Sequence, residues 1–227
     1  MYSEGSAGCT YVERMRDMSF NCVCMKDNIV YMGADSRLCF DDGSFVDTNQ
    51  KLFTNKDMNI VWSMTGETIY NHIHYFNLIN SIMNHKNATT VEKLDSIQML
   101  MNSITKRKYM QTNKDSFFDM FVGVIENNRV VVYTLESKNG FANQEVNKRY
   151  KHFYINASGM NVEQMREITQ KDLFELSCED MVHKISNLIN HVMKIDKSNT
   201  VGGDVYVATM TKDGIIKTYV NGKEKEF

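Results

Sequence analysis

The sequence predicts an α+β fold, a four-layer αββα sandwich in which two antiparallel sheets pack face to face and helix pairs cover both outer faces. Three observations point there. The predicted elements come in runs (strands, two helices, strands, two helices, strands), so the strand–helix alternation of a doubly wound parallel sheet is absent. The strands are short, and several are joined by tight polar turns of the hairpin kind. No internal repeat, low-complexity tract or linker interrupts residues 19–227, which marks one domain of a size that β-rich chains reach.

Residues 1–18 are polar and without periodicity, and read as a leader, propeptide or disordered tail. From Ser19 the pattern changes. Residues 20–26 predict a strand, Asp27-Asn28 a tight turn, and residues 29–34 its antiparallel partner. Strands are expected at 51–54 and at 59–64, ending before Thr65-Gly66. From Glu67 to about Lys86, the residues Ile69, Ile73, Phe76, Ile79 and Met83 recur at helical spacing. A second stripe (Val91, Leu94, Ile97, Met101, Ile104) predicts a helix from about Thr90 to Tyr109, with Thr89 or Thr90 as N-cap and Glu92 in the first turn. Strands at 118–126 and 129–135 pair through Asn127-Asn128. A strand at 152–156 runs into Ala157-Ser158-Gly159, read as a loop. Helices follow at about 161–168 and 178–194, and a hairpin closes the chain at 204–211 and 215–220.

Composition excludes several function classes. Lys and Arg total 26 and Asp and Glu 28, a net charge of −2, so neither a nucleic-acid footprint nor a polybasic membrane patch is present. No stretch of roughly 18 apolar residues occurs. Five cysteines, with no C-x-x-C pair and no apolar signal segment, predict reduced thiols and a cytoplasmic location. Proline is absent and methionine numbers 17, read as composition bias with Met filling core gaps. No metal or cofactor is expected. His72 and His74 have the wrong spacing for one helical face, Cys22 and Cys24 lack a second ligand pair, and no Gly-rich phosphate loop exists. Asp41, Asp42 and Asp47 read as a solvated loop.

Taken singly, Ser19 is a strand-start serine, Asp35-Ser36-Arg37 a strand-end turn, Lys51 a surface lysine, Gly66 a helix-start glycine and Ser158 a loop hydroxyl. Their spacing is the signal. Asp35 lies sixteen residues after Ser19, and Lys51 sixteen after Asp35. The stretch Ser19-Phe20-Asn21-Cys22-Val23-Cys24, Gly33-Ala34-Asp35-Ser36-Arg37, Lys51, Thr65-Gly66, Ala157-Ser158-Gly159 and Val201-Gly202-Gly203 resembles the proteasome β-subunit type of N-terminal-nucleophile (Ntn) hydrolase, including the bacterial two-component protease and ancestral-β-subunit types. The likeness runs from about residue 19 to 220.

That resemblance implies an Ntn-hydrolase fold and a threonine/serine-type endopeptidase of protein catabolism. It implies a homo-oligomeric ring, polypeptide substrates, a separate ATPase unfoldase and no nucleic-acid or membrane partner. Ser19 would be the nucleophile and Lys51 and Asp35 its charged neighbours. Gly66 would donate its N–H to the oxyanion, Ser158 would support the site, and Met64 would line the pocket for the residue before the scissile bond. A hydroxyl attacks only when a base takes its proton, and the α-amine of a terminal Ser19 can be that base. The sequence departs from the family at the nucleophile, Ser rather than Thr, and at Met18, where self-processing members carry Gly. The family's supporting Asp and Ser fall near Ser198 and Val201; Asp196 lies two residues from the first of these places, and the Val201 side chain cannot donate a hydrogen bond. A non-catalytic structural subunit and an Ntn amidohydrolase of a small amide are the alternative readings.

Overall fold

The computed structural model describes residues 19–40, 43–66, 69–70, 73–113, 117–146, 153–159, 161–168 and 170–226. The predicted leader at 1–18, with Cys9 and Met18, and also Asp41, Asp42 and His72, lie outside the described residues.

Strand β1 (Phe20–Lys26) returns as β2 (Ile29–Ala34) through Asp27 and Asn28, both left-handed at φ 45° and 63°. Two consecutive left-handed residues make the turn whose twist matches a β-hairpin, and Asn and Asp tolerate that conformation best among side-chain-bearing residues. Asn127 and Asn128 (φ 51° and 60°) do the same further on. In a chain without proline, asparagine supplies much of the turn chemistry.

A small hairpin of β3 (Leu38–Cys39) and β4 (Phe45–Val46) follows, then β5 (Leu52–Asn55) and β6 (Ile60–Gly66). The helix expected from Glu67 starts later. Strands β7 (Ile69–Tyr70) and β8 (Ile73–His74) pair antiparallel instead, and α1 spans Tyr75–Met83. Two isoleucines and a tyrosine favour extended backbone there, and the His74 side chain, at the N-cap of α1, makes no capping bond. The second helix, α2 (Thr90–Thr112), has the expected start: Thr89 and Glu92 form a reciprocal capping box.

Strands β9 (Phe118–Glu126), β10 (Arg129–Glu136) and β11 (Gln144–Glu145) lead to β12 (Phe153–Gly159). Ser158, expected in a loop, is therefore a strand residue, because pairing with β1 holds Asn21 opposite Ser158 and Phe20 opposite Gly159. The helix expected at 161–168 is a 3-10 stretch, Val162–Glu167, followed by a short α3 (Gln170–Glu175) and the long α4 (Cys178–Ile195). The closing hairpin is β13 (Tyr206–Thr211) and β14 (Ile216–Val220), with β15 (Lys223–Glu224) folded back on it.

The architecture is mixed α+β, with antiparallel sheets. One sheet has six strands in the order β12-β1-β2-β13-β14-β15; another has five, β11-β10-β9-β6-β5. Strand alternation sorts the core into three apolar clusters. Trp62, Met64, Met120 and Val122 pack against Tyr75, Ile79, Leu94 and Ile97 of α1 and α2. Phe20, Cys22, Cys24 and Val207 pack against Met181, Ile185, Ile189 and Val192 of α4. The opposite faces of both sheets supply Val23, Met25, Met32, Val61, Phe121 and Val132 to a cluster they share. Methionine appears in all three, as expected of a gap filler.

Gly33 permits the close approach of α4 to β2: a Cβ there would lie 2.7 Å from Ile185 Cγ2 and 2.9 Å from Ile189 Cδ1. Gly33→Val is expected to lower stability by about 1–3 kcal/mol through overpacking, read as a shift of the urea unfolding midpoint at unchanged slope.

Candidate active site

Hairpin register explains the first sixteen-residue spacing. With Asn21 opposite Ala34, the next rung outward sets Phe20 opposite Asp35. The Phe20 N–H donates to Asp35 Oδ1 at 3.0 Å, and the Asp35 N–H donates to the Phe20 carbonyl at 3.2 Å. Ser19, one residue further, therefore sits beside Asp35. Lys51 comes from the other sheet, immediately before β5, where Leu52 pairs with Ser63. Its Nζ lies 2.7 Å from Ser19 Oγ and 3.0 Å from both Asp35 carboxylate oxygens. Lys51 and Asp35 are 0% exposed and Ser19 is 2% exposed.

A buried carboxylate is stable only when its lone pairs are filled. Besides Lys51 and Phe20, Asp35 accepts from the Arg37 N–H at 3.1 Å and the Gly202 N–H at 3.1 Å. Burial pushes the Lys51 ammonium below its ordinary value, against the charge and hydrogen bonds of Asp35, which raise it. A lysine held in that balance, in contact with a hydroxyl, can donate to the oxygen when charged and take its proton when neutral.

The Gly202 N–H is aimed by a loop built on Asp196. That carboxylate accepts from the backbone of Ser198, Thr200 and Val201 at 3.0, 2.6 and 2.8 Å, and from the Ser198 and Thr200 hydroxyls. Burial raises the Asp196 carboxyl, but these hydrogen bonds outweigh it and leave the group below its ordinary value. Arg37 fastens the same loop to the β3–β4 region. It is bidentate to Asp47 at 2.6 and 2.9 Å, donates to the Asn199 carbonyl and side chain, and lies over the Phe45 ring at 3.9 Å. Asp47, read as part of a solvated loop, keeps 39% of its side chain exposed and is also this partner, and the Arg37 hydrogen bond holds its carboxyl below the usual range.

Ser158 belongs to a neighbouring polar group. It donates to Asp119 Oδ2 at 2.6 Å and accepts from Thr65 Oγ1 at 3.1 Å. Gly66 follows Thr65 at the end of β6 with φ +99°, and a Cβ there would run into the Phe117 carbonyl. Direct hydrogen bonds thus join Ser19, Asp35 and Lys51. Ser158, on β12 beside β1, is tied through Thr65 to the end of β6 in the other sheet, where Gly66 lies. Met64, expected to line the pocket for the residue before the scissile bond, is 0% exposed and packs among the residues facing α1 and α2. Cys22 and Cys24 share a strand face as expected, and burial pushes the Cys22 thiol up to about 12. Among the described residues no three or more His, Cys, Asp or Glu gather as a metal group. Likewise, none of their helices is long and apolar enough to cross a membrane.

Asp119 did not stand out in the sequence, and Thr65, Asp196 and Gly202 did so only within the resembling motifs, without the partners the structure gives them. Asp119 had a signal: an acid at an inward position of the apolar run FDMFVGVIE is a buried carboxylate, and such groups need partners. No protein-family model matches the chain, and no curated protein matches it.

Removing one member of a buried pair strands the other. Asp35→Ala and Lys51→Met are each expected to cost about 3–5 kcal/mol of stability. The double variant should lose clearly less than the sum, measured by denaturant unfolding as a double-mutant cycle.

Proposed function

We propose that this chain is a proteasome β-type endopeptidase subunit with the four-layer αββα Ntn-hydrolase fold, and that Ser19 is its nucleophile. The observation that carries the reading is the buried contact of Lys51 Nζ with Ser19 Oγ and both oxygens of Asp35. An isolated buried lysine is costly, and an arrangement that places its amine on a serine hydroxyl supplies the base such a hydroxyl lacks.

The proposed reaction is acyl transfer. As Oγ bonds to a peptide carbonyl carbon, its proton passes to the neutral base. The carbon–nitrogen bond breaks, the amine leaves with that proton, and an ester on Ser19 remains. Water then attacks the ester, and Oγ recovers a proton as the acid departs. With residues 1–18 attached, the Ser19 nitrogen is an amide, and Lys51 is the base in contact with Oγ. Cleavage after Met18 would add an α-amine of ordinary pKa roughly 7.7–8.0. In this reading Gly66 offers its N–H to the oxyanion, and its lack of Cβ suits close approach. The same reading implies a homo-oligomeric ring, a cytoplasmic location, unfolded polypeptide substrates and a separate ATPase to deliver them.

Intact mass of the protein made from its native gene, alongside Ser19→Ala, tests this. The expected wild-type mass begins at Ser19, and that protein hydrolyses an unstructured polypeptide while Ser19→Ala does not. A wild-type mass beginning at Met1, with no hydrolysis, would point to a non-catalytic subunit. Hydrolysis of small amides alone would point to an amidohydrolase.

A further inference from the structure

Ser158 stands opposite Asn21 in the β1–β12 pairing, so its side chain shares a sheet face with Asn21 and, two residues earlier, Ser19. Its hydroxyl is 5% exposed and is engaged twice from the other sheet, donating to Asp119 and accepting from Thr65. A hydroxyl has one proton and two lone pairs. With the proton given to Asp119 and one lone pair to Thr65, what remains for the Ser19 side is an acceptor. The Ser19 backbone nitrogen, whether amide or amine, is a donor.

Resting on the reading of Ser19 as nucleophile, we propose that Asp119 is a positioning residue: as a carboxylate it fixes Ser158 as an acceptor for the Ser19 backbone nitrogen, and so orients Oγ. The second carboxylate oxygen makes the device polar. Asp119 Oδ1 accepts from the Ser137 N–H at 3.1 Å, a backbone donor that cannot reverse. An amide in place of the acid must keep its oxygen on Ser137. Its NH2 then faces Ser158, which turns from donor to acceptor there and releases its own proton toward Ser19. Protonation of the acid does the same.

Burial pushes the Asp119 carboxyl above the usual range, and Glu136, opposite it on β10, adds to this; Ser158, the Ser137 N–H and Lys138 pull it back. The folded-state value is raised, so the carboxylate is lost as pH falls through a point higher than an ordinary aspartate's.

The test is the rate at which a small fluorophosphonate labels Ser19, fluoride leaving as the phosphorus–Oγ bond forms. It is followed by mass across acid and neutral pH on the protein as made from its native gene. Wild type should show an acid limb above the ordinary carboxylate range. Asp119→Asn and Ser158→Ala should each slow labelling by about tenfold, the scale of one hydrogen bond to a charged group. Both should also lack the limb, and the double variant should be no slower than the slower single. Ser158→Ala leaves Asp119 in place, so persistence of the limb in that variant alone overturns the proposal, as do losses that multiply in the double. No labelling of Ser19 in wild type at any pH would sink the nucleophile reading, and this inference with it.

Discussion

An ammonium buried between a hydroxyl and a carboxylate is the constraint around which this chain is arranged. Desolvating Lys51 and Asp35 costs several kcal/mol per ion, and only near-complete hydrogen bonding offsets it. Each partner comes from a different part of the chain. The β1–β2 hairpin register brings Ser19 and Asp35 side by side, the edge of the five-stranded sheet sends in Lys51, and the Asp196 loop lowers the Gly202 N–H onto Asp35. A shift of one residue in the hairpin would turn every side chain of β1 to the other face and break all three.

The two sheets meet through apolar side chains over most of their shared area and through polar ones at one end. Val23, Met32, Val61 and Phe121 belong to the apolar part. Toward Ser19 the same faces carry Asn21 bonded to Ser63 at 3.1 Å, then Thr65, Ser158 and Asp119. Buried polar groups of this kind rigidify a structure when fully satisfied and destabilise it when not. Here the polar end coincides with the contact of Lys51 with Ser19, which is why we attach chemistry to it.

Much of this was legible in residue order. The hairpin at 20–34 and the pair at 118–135 were readable because Asp27-Asn28 and Asn127-Asn128 admit few other conformations between apolar runs. The spacing of Ser19 and Asp35 follows from strand and turn lengths alone. Lys51 is different. Nothing local says that a lysine before β5 is buried rather than solvated; the resemblance of the spaced motifs carried it, and tertiary placement agrees. Ile69 and Ile73 misled because, four residues apart, they extend the helical stripe of Phe76, Ile79 and Met83, while β-branched residues suit the short strands β7 and β8 as well. Ser158 misled because Ala-Ser-Gly looks like a loop until β1 pairs with it. Arg37 reaches Asn199 across a separation that no window of sequence contains, whereas Asp196 is held by neighbours two to five residues on and became significant only once Gly202 was seen to face Asp35.

The titration of Lys51 itself is the most direct test, followed by the NMR shift of its labelled side-chain carbon next to Nζ. The account predicts a titration below the 10.5 of an ordinary lysine. It also predicts a further fall in Asp35→Asn, since Asp35 supplies what holds the proton on, and a change in the resonance in Ser19→Ala. A Lys51 that titrates as an exposed lysine does, indifferent to both substitutions, would contradict it.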